Sequence, residues 1–122
     1  MKKLFRIIAT IAVLFGFSSQ SFADGHKPTI ALVPGLTTDA FYITMHKGAM
    51  AAAEALGVEL LFQGSPEWNA SLQVPILNAV IAKKPDAILI APNDKQQLIA
   101  PLKAAADAGI AVICVDTFID DG

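Results

Sequence analysis

Residues 29–57, "TIALVPGLTTDAFYITMHKGAMAAAEALG", change their apolar period halfway along. "TIALV" (29–33) is an unbroken apolar run, the pattern of a strand covered on both faces rather than one. From Ala40 onward Met45, Gly48, Ala49, Ala52, Ala53 and Leu56 recur every three or four residues, the spacing of an amphipathic helix. Asp39 precedes that helix in N-cap position and Gly57 follows it as a stop signal. The stretch therefore reads as a strand passing through a short loop into a helix.

The same alternation continues. Further strand candidates are "VELLF" (58–62), "AILIA" (87–91) and "IAVICV" (110–115). Helical patterns run over 70–83, with Asn69 as cap and Pro85 beyond its end, and over 95–108, with Asp94 as cap and Gly109 as stop. Pro75 and Pro101 fall near the second turns of these helices, where a kink or a late start is expected. Strands alternating with helices make right-handed parallel crossovers, so the fold class is α/β, an open parallel sheet with helices on both faces.

The first 23 residues stand apart. Lys2, Lys3 and Arg6 precede the apolar run "IIATIAVLFGF", which gives way to "SSQ" and the small-residue ending "SFA". These are the parts of a cleavable secretory signal peptide, and the apolar run is shorter than the roughly 20 residues of a spanning helix. Cleavage after Ala23 is expected, by the general secretory route because no twin arginine is present, with a soluble exported product starting at Asp24. The single cysteine, Cys114, is far from the cleavage point, so no lipid anchor is expected, and it excludes an internal disulfide.

Taking 23 residues from 122 leaves 99, enough for one modest domain. Nine Lys/Arg less the leader's three leave six against eleven acids, a formal charge of −5. A mildly acidic surface without a basic run argues against nucleic acid as a partner.

In open parallel sheets ligands gather at the carboxyl ends of the strands. Four loops qualify: "PGLTTD" (34–39), "QGSPEWN" (63–69), "PND" (92–94) and "DTFIDDG" (116–122). They place Asp39, Phe41 and Tyr42 at the exit of the first strand and Asp116 at the exit of the fourth. Aromatic faces pack on the C–H faces of sugars and polyols, and carboxylates accept bonds from their hydroxyls. Phe41 and Tyr42 diverge by about 100° on a helix, so one should line a cleft and the other be partly buried. Asp39 reads equally as a helix cap, and Asp116 as a turn residue.

Nothing in the chain asks for catalysis or a cofactor. The glycines at 35, 48, 57, 64 and 109 are too scattered for a phosphate-binding loop, and no His/Cys cluster has metal spacing. His46 reads as a helix-surface residue, His26 as part of the N-terminal tail, Cys114 as a buried inert thiol and Trp68 as surface packing, with lining of the site's rim as its alternative.

At this point the order of motifs carries a resemblance. "TIALVPGLTTDAFYITMHKGAMAAAEALGVEL", the Gln73-to-Ile81 spacing, "KPDAILIAPND" and "DAGIAVICVDT" resemble the periplasmic sugar-binding proteins of ATP-binding-cassette importers, type I and ribose-binding-protein-like. The resemblance implies two similar lobes closing on a small carbohydrate or polyol, delivery to a membrane permease, and no enzyme activity. It implies ligand contacts at Asp39, Phe41, Tyr42, Asp116 and Thr117. Two positions depart from the ribose-type pattern: Ala91 stands where an asparagine often binds a hydroxyl, and Thr117 where an arginine follows the aspartate. Both departures put ribose itself in doubt. Such proteins run to about 300 residues, in keeping with two domains of ordinary size. The mature segment, 24–122, is therefore expected to be a partial N-terminal lobe, from a truncated frame or a longer protein. Competing readings are the effector-sensing domain of a sugar-responsive regulator, a flavodoxin-like enzyme or receiver domain, and a non-functional fragment.

Overall fold

The computed structural model describes residues 25–120, and the proposed leader and its cleavage point lie outside them. The elements run β1 (Thr29–Val33), α1 (Ala40–Leu56), β2 (Glu59–Phe62), α2 (Ala70–Ala82), β3 (Ala87–Ile90), α3 (Ile99–Asp107) and β4 (Ala111–Cys114). All strand pairs are parallel, in the order β2-β1-β3-β4. The order reverses between β1 and β3, which places the switch point at the loops following those two strands.

Strand side chains alternate between two covered faces. Ala31 and Val33 of β1 and Ile88 and Ile90 of β3 join Ala70, Leu77 and Val80 of α2 and Leu102 and Ala105 of α3 in one buried cluster. The other face carries α1: Ala49, Ala52, Ala53 and Leu56 lie over Ile30, Leu60 and Leu89, around an apolar cavity of about 190 Å³. The alanine stripe that makes α1 legible also leaves it loosely filled against the sheet, because small side chains do not reach the strands.

Boundaries moved where helix caps needed backbone. Gly57 adopts φ 68°, and its N–H and that of Val58 bond back to the last turn of α1. Val58 is thus used by the cap, so β2 starts at Glu59 rather than at 58. Gly109, at φ 85°, and Ile110 do the same for α3, and β4 starts at Ala111.

The third helix differs most from expectation. Residues 95–98 form turns, not α-helix, and Asp94 caps those turns by accepting from Gln96 N and Gln97 N at 2.8 Å each. Regular helix starts at Ile99, so Pro101 falls in its first turn, where no N–H partner is needed. Pro75, by contrast, sits inside an uninterrupted α2, whose Gln73, Leu77 and Val80 are pinned in the core.

Cys114 is half-buried, not fully buried, and packs on the margin of the α2/α3 cluster. Its strand pairs with β3 alone among the described strands, so one side of it is uncovered.

Candidate functional site

The loops leaving β1, β3 and β4 meet at the switch point. Asp39 caps α1, its Oδ1 accepting from Phe41 N at 2.8 Å. This fixes the first turn, from which Phe41 and Tyr42 diverge. Tyr42 turns inward and is 4 % exposed, while Phe41 stays 54 % exposed, its ring edge-on to Tyr42 at 5.2 Å.

The inward turn of Tyr42 carries its hydroxyl across to the exit of β4. There it donates to Asp116 Oδ2 at 2.6 Å, a bond spanning 74 residues of sequence. Burial above all, then the hydrogen bond to Asp116 and the charges of Asp116 and Asp39, push the Tyr42 phenol well above its usual value. Asp116 holds a left-handed backbone, φ 67°, which a short polar side chain tolerates better than most. One carboxylate oxygen is engaged by Tyr42, and the group retains acceptor capacity for a ligand.

Thr117 links two of the loops. Its hydroxyl donates to Pro92 O at 2.9 Å, tying the β4 loop to the β3 loop. The structure therefore brings Phe41, Tyr42, Asp116 and Thr117 to one end of the sheet, with Thr117 as a loop tie and Asp39 as a cap.

Three neighbours of these residues lie outside the expected ligand set. Trp68 is 48 % exposed, lies 6.4 Å from Tyr42 and shares a recess of about 200 Å³ with Asn93, Asp116, Thr117 and Phe118. Gly35 makes this approach possible, since a β-carbon there would overlap the Trp68 ring and the Tyr42 hydroxyl. Gln73, fully buried, reaches from α2 to donate to Pro34 O at 3.2 Å and Ala91 O at 2.8 Å, and accepts from Asn93 N at 2.8 Å. It joins the exits of β1 and β3. The signal available in sequence was a lone glutamine among apolar helix positions, which must find partners if buried.

Two other residues have local roles. His46 stacks flat on Phe62 at 3.7 Å, and His26 pairs with Asp86 at 3.1 Å. Among the described residues no group of three or more His, Cys, Asp or Glu could hold a metal. The arrangement offers an acceptor carboxylate, aromatic faces and a polar recess, which is the composition of a small-molecule site.

Comparison with known proteins gives this geometry a context. Residues 30–122 match the periplasmic binding protein domain model. A D-ribose/D-allose-binding protein of Pseudomonas aeruginosa is 38 % identical over 77 % of this chain and 30 % of its own length. An ABC transporter solute-binding protein from Agrobacterium vitis, solved with α-D-tagatopyranose, is 71 % identical with a TM-score of 0.75, covering 76 % of this chain and 31 % of that one. A periplasmic solute-binding protein from Actinobacillus succinogenes, solved with D-allose, is 32 % identical with a TM-score of 0.74, covering 78 % and 34 %. The chain thus spans about a third of the length of the relatives it matches. With the match covering the strands, the switch-point loops and all four residues brought together there, this chain belongs to the periplasmic binding protein domain family.

Proposed function

We propose that this chain supplies one wall of the sugar cleft of a substrate-binding component of an ATP-binding-cassette importer. The observation that carries the reading is the Tyr42–Asp116 bond, which fixes an acceptor carboxylate in the recess that Trp68 also lines, with the exposed Phe41 ring edge-on to Tyr42. A neutral polyhydroxylated ligand suits it: the rings take its C–H faces and Asp116 accepts from its hydroxyls. The relatives solved with tagatose and allose support a hexose, and alanine at 91 and threonine at 117, in place of the ribose-type asparagine and arginine, argue against a ribose-type contact set. The role is binding and delivery to a membrane permease in the periplasm, after removal of residues 1–23, with no catalytic step and no lipid anchor.

Titration calorimetry on a version joined to a second lobe tests this. Asp116→Ala should weaken sugar binding by about 1.5–3 kcal/mol, the range for a charge-assisted hydrogen bond. Phe41→Ala should weaken it comparably through lost stacking, while His46→Ala should leave it nearly unchanged. Wild-type affinity in both Asp116→Ala and Phe41→Ala would place the ligand elsewhere.

A further inference from the structure

We infer that the side-chain amide of Asn93 is a ligand-reading group that determines which hydroxylated ligand the recess accepts, an inference that rests on the sugar-binding reading above. Both polar atoms of that amide, Nδ2 and Oδ1, are closed to solvent and have no hydrogen-bond partner. Buried polar atoms are satisfied in the great majority of cases, and an orphaned pair is a standing cost to the fold. Such a cost persists where a binding partner removes it.

The surroundings support that reading. Gln73 Oε1 accepts from the Asn93 main-chain N–H at 2.8 Å, so the backbone of this loop residue is held from the core. Thr117, which also lines the recess, donates its hydroxyl proton to Pro92 O and so ties the facing loop in place. Asn93 lines the recess of about 200 Å³ together with Trp68, Asp116 and Thr117. The terminal torsion of asparagine is broad, so the amide has no strong χ2 preference of its own and its orientation is set by what it meets.

The chemistry defines the ligand class. The amide offers one acceptor and two donors, and Asp116 beside it only accepts. Together they suit two hydroxyls on neighbouring carbons, one donating to the carboxylate and the other exchanging bonds with the amide, while Trp68 covers a C–H face. A phosphorylated sugar is disfavoured, because Asp94 and Asp116 share the lining and the one cation there, Lys95, lies 3.9 Å from Asp120 and over the Phe118 ring.

The test uses the purified chain with D-tagatose as probe. Trp68 is the only tryptophan, so its fluorescence reports occupancy directly, and the Asn93 side-chain NH₂ signal in amide NMR reports the contact. The expected result is a movement of both signals on titration. Asn93→Leu should melt at or above the wild-type temperature, since an orphaned amide is removed, yet bind roughly tenfold more weakly. A merely structural asparagine would lose stability and affinity together, and that outcome overturns the inference. So does a Trp68 response of unchanged affinity in Asn93→Leu, which leaves the sugar-binding reading intact. Silence of Trp68 and of all cleft signals in the wild type would overturn both.

Discussion

Tyr42 shows how much one side chain can report. It is the only tyrosine in the chain, so a near-ultraviolet titration of tyrosinate follows this group alone. Burial and Asp116 raise its folded pKa above the ordinary value of 10.0, so folding stabilises the neutral phenol. The sign follows from linkage: the contribution is complete below the unfolded pKa and declines as pH rises above it. Ionisation should therefore be absent around pH 10 in the folded chain and appear only with alkaline unfolding, whereas Asp116→Ala should bring it nearer the ordinary value. A normal titration in the wild type would show that the hydroxyl is not held by Asp116. Gly35 answers to steric argument alone. Gly35→Ala should destabilise by about 1–3 kcal/mol, the range for forced overpacking, as read from the denaturant midpoint. Asp39, Phe41, Tyr42 and Asp116 were placed from sequence at strand exits because the loop and first helical turn after β1, and the loop after β4, are set by the local apolar pattern. The roles of Gln73 and Asn93 were not legible, because the partners of Gln73, Asn93 among them, lie 18 to 39 residues away in sequence.

At the scale of elements, the strand starts of β1 and β3 are clasped by one carboxylate. Asp86 Oδ2 accepts from Thr29 N at 2.7 Å and from His26 at 3.1 Å. The Thr29 N–H first, then His26, hold its pKa below the usual carboxylate value. Its contribution is present above the unfolded pKa and is lost as pH falls through the depressed folded one. Thermal melts should show Asp86→Ala less stable than wild type near neutral pH, with the gap closing as pH drops below the carboxylate range. A gap independent of pH would remove the ionic part of the argument. Element existence and order were readable throughout, from the switch in apolar period. The starts of β2, β4 and α3 were not, because Val58 and Ile110 serve as cap donors and Pro101 needs a place in a first turn.

For the whole molecule, the proposed function makes the described residues one wall of a cleft. A sugar resting on Phe41, Trp68 and Asp116 keeps much of its hydration, while association still costs several kcal/mol of lost freedom. The chain from residue 24 should therefore bind D-tagatose only at roughly millimolar level, about −4 kcal/mol. The uncovered side of β4, with Ile113 exposed, should also favour association. Sedimentation and fluorescence titration check both, and a monomer with micromolar affinity would refute the one-wall argument.

Sequence by itself determined the α/β class, the alternation and the strand-exit loops, because apolar period and caps are local properties of the chain. It also placed the acid and the aromatic pair at strand exits. Tertiary structure alone decided which atoms serve there: that Tyr42 rather than Phe41 turns inward, that its hydroxyl holds Asp116, that Thr117 is tied to Pro92 and that Asn93 is left without a partner. Hydrogen bonds across a switch point join residues that the sheet order makes neighbours, and strand order follows from how both faces of β1 and β3 are covered, not from any local pattern.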